Sequence, residues 1–347
     1  MLGCVYNKGK VELIELDKPV LTNGVGAILK VAACSICGTD IRAYRFGNGR
    51  ILDGQIIGHE VVGEIVEIAE PHDTSFSIGD KVAIAPAIGC GVCNSCKKGR
   101  SNMCTSLKTI GFDFSGGFAE YTAIPDSAFV MGNVYILPDG SDYSQYTLCE
   151  PLACAINGQS YLNIKSGDDV VIFGSGVVGC FHAELSCLAG AARTVIIEPS
   201  TERLNEAERL LKELPVTFVN PVEVDIKKAV REIFGGKGAD VAIVACSVAS
   251  AQAQGFELLE NLGRISLFGG VPGDPPMFDG NLVHYKELSV FGAHASTPKQ
   301  NQQAMELAKT GKINLEKYIT GRYQLADIMQ VFDKCVNGEI MKAIIVN

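Results

Sequence analysis

Three side chains of the kinds that hold a catalytic metal occur in the first part of the chain: the thiol of Cys37, the imidazole of His59 and the carboxylate of Glu60. They sit in Cys37-Gly38-Thr39-Asp40 and in Gly58-His59-Glu60, far enough apart that only folding can join them. Thiolate, imidazole and carboxylate are the donors zinc accepts, and a mixed, sparse set leaves a coordination position open for a substrate. A further candidate is Glu150, in Cys149-Glu150-Pro151-Leu152, at the head of a stretch over 145–162 that reads as a connecting helix. Taken alone, Cys37 is more often a small core residue and Gly-His-Glu more often plain structure; their coexistence with a nucleotide turn lifts the case.

A second set has the opposite character. Cys90, Cys93, Cys96 and Cys104 follow the spacing C-x2-C-x2-C-x7-C. Four thiolates so close in the chain can close a tetrahedral zinc with no open position, which is structural chemistry. A nucleic-acid finger is the other use of such a knot. Paired histidine ligands are missing, and Lys97, Lys98 and Arg100 form only a small basic island.

A third constellation is of the kind that binds a dinucleotide's phosphates, the plain alternative being a structural glycine turn in some other α/β protein. Val170-Val171-Ile172-Phe173 runs into Gly174-Ser175-Gly176-Val177-Val178-Gly179, a G-x-G-x-x-G turn after a strand and before a helix. Gly174 makes the tight turn, Gly176 admits a pyrophosphate to the backbone, and Gly179 lets helix and sheet pack. The start of the helix, with Val177 and Val178, offers free N–H groups to the phosphates. A second strand, Val195-Ile196-Ile197, ends in Glu198, placed to accept from ribose hydroxyls. That acid repels a 2′-phosphate, so NAD(H) is favoured over NADP(H), although Arg203 is of the type that accepts such a phosphate. Cys246, Phe268 and Gly269 complete the candidate dinucleotide-binding residues.

The elements that position these groups fall into two patterns. Residues 1 to about 140 are β-rich, with short strands divided by Gly and Pro, as in a small barrel or sandwich. From Asp169 strands and helices alternate. Apolar runs at 170–173, 194–197, 216–219, 241–245, 263–268 and 288–291 are separated by amphipathic stretches at 177–189, 201–213, 223–234 and 249–260. That rhythm predicts an α/β unit with a parallel sheet. The last segment has a helix pattern from Gln302 to Lys309 and a strand Ala343-Ile344-Ile345-Val346, and is expected to return to the first domain.

Bulk properties fit this reading. The chain has 347 residues, 47% of them hydrophobic and 20% charged, enough for two cores. A net charge of −9 argues against nucleic acid and against anionic membranes. No apolar run is long enough to span a bilayer, and the start has no apolar signal-peptide core. Thirteen cysteines cannot all pair with one another. A reducing, cytoplasmic setting with metal-bound thiolates is the expectation.

These motifs together resemble the zinc-containing medium-chain dehydrogenases/reductases, the alcohol, sorbitol and threonine dehydrogenase superfamily. The carriers are the two ligand segments, the four-cysteine lobe, Gly79-Asp80-Lys81-Val82, Glu150-Pro151-Leu152 and the glycine turn. The resemblance implies a GroES-like catalytic domain over 1–144 and 298–347 and a Rossmann domain over 145–297. It implies two zinc ions per chain, one catalytic and one structural, an NAD(H) cofactor, and a homodimer or homotetramer. It makes Cys37 and His59 the first catalytic ligands. Glu150 stands at the third ligand position, as in the polyol branch, and ligates directly or through water. Glu60 becomes a glutamate that enters the metal shell during exchange. Asp40 holds the histidine, and Thr39 passes the substrate proton.

One position departs from the pattern. Where many members end the proton relay in a histidine, this chain has Arg42. Arginine does not shuttle a proton. Arg42 is then a contact for a cofactor phosphate, a contact for an acidic substrate group, or solvated surface. The implied reaction is hydride transfer from a secondary alcohol to NAD⁺, giving the ketone. A polyol, or with Arg42 and Arg45 a phosphorylated or acidic derivative, is the favoured substrate, and a threonine-type amino alcohol is the alternative. A member that kept the fold and lost the chemistry is the rival from another class.

Overall fold

The computed structural model describes residues 1–70, 75–140, 142–273 and 276–347. The chain divides into two compact units, Met1–Ala153 with Ala295–Asn347, and Cys154–His294. Among the described residues no helix is long and apolar enough to cross a membrane.

The first unit is built on a seven-stranded sheet. Its order is Val134–Ile136, Lys81–Ile84, Glu60–Ile68, Val25–Ser35, Ala343–Val346 and Gly321–Gln324, with Tyr121–Pro125 also pairing with Val25–Ser35. Val25–Ser35 is covered on both faces, which its near-continuous apolar run requires. Its Leu29 and Val31 share one core with Ile57, Ile65, Phe118 and Phe332. The register brings three chain ends to one place: Ser35 lies opposite Glu60 on one side and opposite Ile344 on the other. Cys37 follows the first of these strands, His59 precedes the second and Lys342 precedes the third. Gly58 adopts a φ of +94°, and a Cβ there would lie 2.8 Å from the Phe118 ring and 2.9 Å from Cys34 Sγ. Only glycine lets the chain turn into His59 at that point.

The β-rich reading of this region left out the helix Gly38–Phe46. It is short and polar, and it is held by tertiary contact. Tyr44 stacks on Phe332 at 5.1 Å and donates to Asp333 at 2.8 Å, both on the helix Ile328–Val336.

The second unit is a six-stranded parallel sheet. Across it run Val216–Val219, Arg193–Ile197, Asp169–Phe173, Ala239–Val244, Leu259–Leu267 and Ser289–Gly292. Numbered along the chain, that is the 3-2-1-4-5-6 order of dinucleotide-binding sheets. Helices Val177–Leu188, Thr201–Leu211, Ile226–Ile233 and Ala249–Leu258 connect them. The fourth helix ends before the expected residue 260, because the chain enters the next strand at Leu259, opposite Ala239. The pairing then slips before Val241↔Arg264, and Leu262 takes a positive φ of 63°. The Glu260 carboxylate accepts from the Gly238 N–H at 2.6 Å and anchors this irregular start.

Candidate metal and dinucleotide sites

Folding brings the first constellation together. One donor atom each from Cys37, His59 and Glu60 lies within 4.8 Å of the others. Cys37 is the N-cap of Gly38–Phe46, and Asp40 sits at the third helical position. The Asp40 Oδ2 accepts from the Cys37 N–H at 2.9 Å, one half of a capping box. Its Oδ1 stands 3.6 Å from His59 Nδ1. One carboxylate therefore fixes the cysteine's backbone and faces the histidine's ring. Thr39 Oγ1 lies 3.8 Å from Cys37 Sγ. Burial disfavours a charged His59, yet the Asp40 carboxylate and Cys37 outweigh it and push the imidazole well above its usual pKa.

Glu60 is fully buried. Its Oε2 accepts from Ser35 Oγ and from the ammonium of Lys342, which lies 282 positions away in the chain. Its Oε1 is buried with no hydrogen-bond partner among the described residues. Lys342 also donates to the Ile36 carbonyl at 3.0 Å. Burial works against this ammonium, but Glu60, Cys37 and Glu150 overcome it and raise its pKa. The sequence reasoning missed Lys342. The one local signal was a lysine abutting the apolar run Ala343-Ile344-Ile345-Val346.

Glu150, near the start of the helix Cys149–Ser160, is buried and close enough to act on Lys342 and Tyr135. It is not part of the group whose donor atoms lie within 4.8 Å. Arg42 lies exposed on Gly38–Phe46. An orphaned carboxylate oxygen, a thiol and an imidazole in an anionic pocket fit a divalent cation, because an unsatisfied buried oxygen is otherwise costly.

The sulfurs of Cys90, Cys93, Cys96 and Cys104 also gather within 4.8 Å. Cys93 and Cys104 are 3.8 Å apart, near the roughly 3.8 Å edge of a tetrahedron with metal–sulfur bonds of about 2.3 Å. Backbone N–H groups point at them: Cys90 at Cys104 (3.2 Å), Cys93 at Cys90 (3.4 Å) and Ser106 at Cys104 (3.3 Å). The N–H groups of Cys96 and Thr105 lower Cys93 to about 6. Cys96 is raised to about 11, by burial first and then by Cys93. A divalent cation relieves that conflict among neighbouring thiolates. All four are free of disulfides. Of the other cysteines, Cys4, Cys34, Cys149 and Cys180 are fully buried, as small core residues are.

In the second unit, Gly174 turns with φ +102°, Gly176 caps the helix Val177–Leu188, and Val177 and Val178 form its first turn. A Cβ on Gly179 would sit 2.0 Å from the Gly174 carbonyl oxygen, so strand and helix approach too closely for any other residue. Glu198 follows directly on the strand Arg193–Ile197, and its Oε2 accepts from Ser175 N–H (3.1 Å) and Ser175 Oγ (3.2 Å). Its Oε1 accepts from Ser200 N–H at 3.2 Å. The Arg203 guanidinium lies beside Gly176, 3.1 Å from where a Cβ would stand. Cys246 closes on Gly174 and on Gly269, whose Cβ would meet the Cys246 carbonyl at 2.1 Å. Burial raises the Cys246 thiol. Phe268 packs edge-on against His182 at 4.8 Å. The sequence-derived residues of this site therefore cluster at one end of the sheet, Phe268 meeting the helix Val177–Leu188.

Two family models match. The alcohol dehydrogenase GroES-like domain covers residues 25–134, and the zinc-binding dehydrogenase domain covers 177–310. The L-threonine 3-dehydrogenase of Pyrococcus furiosus is 34% identical over 90% of this chain and 88% of its own. The sorbitol dehydrogenase of Halalkalibacterium halodurans is 31% identical over 95% and 94%. A solved zinc-binding dehydrogenase of Sinorhizobium meliloti 1021, bound to NADP, superposes with TM-score 0.90 at 27% identity, over 100% of this chain and 99% of that one. With both halves of the chain matched and the ligand, glycine and cysteine sets in place, this chain belongs to the zinc-containing, nicotinamide-dependent medium-chain dehydrogenases.

Proposed function

We propose that the protein oxidises a secondary alcohol of a polyol or sugar-derived compound to the ketone, with NAD⁺ as acceptor. The observation that carries this is the Cys37, His59 and Glu60 cluster, with Thr39 beside the thiol, in a chain that also forms the dinucleotide sheet. Cys37 and His59 would hold the catalytic zinc with a carboxylate, from Glu150 directly or through water, or from Glu60. Cys90, Cys93, Cys96 and Cys104 would hold the structural one. Zinc there would supply Lewis-acid polarisation of the alcohol oxygen, and NAD⁺ would supply the hydride acceptor.

The chain's own residues do the rest. Thr39 would relay the alcohol proton toward the cofactor ribose, giving up its own hydroxyl proton as it takes the substrate's, and Asp40 keeps the imidazole of His59 oriented. Gly174, Gly176, Val177, Val178 and Gly179 cradle the pyrophosphate. Glu198 and Arg203 flank the adenosine ribose, with Cys246, Phe268 and Gly269 beside them. Glu198 is already held by Ser175 and Ser200, so its charge is fixed where a 2′-phosphate would sit; this supports NAD(H) over NADP(H). Arg42 carries no proton onward, and its exposed guanidinium supports a phosphorylated or acidic polyol. The first unit is the catalytic domain and the second the nucleotide domain. A cytoplasmic homodimer or homotetramer completes the proposal.

Threonine oxidation is the second reading, favoured by the threonine dehydrogenase relative. Following NADH absorbance over sorbitol, galactitol, inositols, their phosphates, aldonates and threonine separates the two. Turnover of a polyol class is expected, and turnover of threonine alone overturns it. Cys37→Ser is expected to abolish turnover and remove one of two zinc ions while NADH binding persists. Retained activity sinks the zinc assignment.

A further inference from the structure

Lys342 is a buried cation 5% exposed, and the reaction as proposed gives it no task. Its position is fixed before its side chain is considered. The Lys342 N–H donates to Thr320 Oγ1 at 2.9 Å, and the Lys342 carbonyl accepts from Thr320 N–H at 2.9 Å and from its hydroxyl at 3.0 Å. The strand Ala343–Val346 that follows is locked between Val25–Ser35 and Gly321–Gln324. From this mount the ammonium reaches two acceptors, the Ile36 carbonyl and Glu60 Oε2. Ser35 Oγ shares that same carboxylate oxygen. Oε1 is the unpartnered one.

We propose that Lys342 is a positioning residue that tethers Glu60 by one oxygen, so that Glu60 meets the metal only through the other and can leave it. An untethered, buried carboxylate would be free to chelate a zinc with both oxygens and to stay, filling the position an alcohol needs. The tether makes Glu60 a replaceable neighbour of the metal. It also places a positive charge beside a doubly charged ion, which lowers the hold of the site on zinc. The inference rests on the catalytic-zinc reading above.

The test is the rate at which zinc leaves for dipicolinate, followed by metal content, with the four-cysteine zinc as internal reference. Lys342→Met is expected to slow loss of the catalytic zinc on the order of tenfold, from the removed charge and the freed oxygen. Its kcat is expected to fall while NADH binding is unchanged. Lys342→Arg, which keeps the charge and the donors, is expected to behave like the wild type. In a Glu60→Gln background, Lys342→Met is expected to slow zinc loss clearly less, by its charge alone, as required if the lysine acts mainly through Glu60. Zinc loss at the wild-type rate or faster in Lys342→Met overturns the proposal. Equal slowing with and without Glu60 overturns it too, leaving a bare charge effect. If Lys342→Met fails to keep its cysteine-bound zinc, Ser35→Ala replaces it. That variant frees Oε2 of its other holder, and about threefold slower loss is expected; no change overturns the proposal. A wild-type protein with a single zinc per chain would instead refute the catalytic-zinc reading.

Discussion

In the proposed reaction, Thr39 is the residue that takes the substrate proton. Its hydroxyl is half-buried at the N-terminus of Gly38–Phe46 and 3.8 Å from the Cys37 sulfur. Thr39→Val keeps the shape and removes the hydroxyl. A fall in kcat of about 10²–10³ is expected, from the usual size of a proton-transfer contribution, with zinc content and NADH binding unchanged. Thr39→Ser is expected to retain most of the rate. Steady-state kinetics beside metal analysis decide it. At this scale the sequence was informative where residue type and spacing carry the chemistry. Cysteine knots and glycine turns are local, so Cys90 to Cys104 and Gly174 to Gly179 could be read directly. Glu60 and Lys342 could not be read as a pair, because their contact spans 282 positions and neither residue belongs to a motif that names the other.

Elements explain a different kind of sensitivity. The helix Val177–Leu188 carries His182, whose ring is fully buried against Phe268. Its Nδ1 faces Gln159 Nε2 at 3.3 Å, and its Nε2 has no hydrogen-bond partner among the described residues. Burial lowers its pKa from 6.5 to about 3. In the fold it stays neutral where the unfolded chain takes up a proton. Its share of stability is whole above about pH 6.5 and is lost as pH falls toward about 3, at about 1.4 kcal/mol per unit. His182→Leu is expected to flatten that acid slope. Between pH 6.5 and 4 the wild-type melting temperature should fall more than the variant's, and parallel slopes would show that His182 is not the cause. The strands and helices of this unit were legible because each is buried on a regular period. Gly38–Phe46 was not: its cap is a cysteine, an unusual N-cap, and its anchor is the distant Phe332.

For the molecule as a whole, the decisive fact is that one unit is a continuous stretch and the other is not. Cys154–His294 contains its whole parallel sheet, whereas the first unit resumes at Ala295. Its sheet is interrupted unless Ala343–Val346 lies between Val25–Ser35 and Gly321–Gln324. Ala343, Ile344 and Ile345 are buried to within 1%, so this strand contributes core as well as hydrogen bonds. Deleting residues 343–346 is expected to unfold the first unit's sheet and release the zinc of Cys37 and His59, while the cysteine-knot zinc and NADH binding by the second unit persist. Near-UV circular dichroism, metal content and NADH fluorescence read the three outcomes. The return of the last segment was legible as an apolar run without a partner nearby. The partner strand was not, since β-pairing over such distance leaves no mark in sequence.

The interrupted layout has a consequence in time. A ribosome delivers the residues of Cys154–His294 before it delivers Lys342 and the strand that closes the first sheet. The nucleotide unit can therefore fold while synthesis continues, as continuous segments do. Cys37, His59 and Glu60 are made early and must wait, with their thiol and carboxylate uncovered, for the last strand to arrive. Capture of the catalytic metal is thus a late event in the life of each new chain, whereas the cysteine knot at 90–104, complete within its own short segment, can load at once.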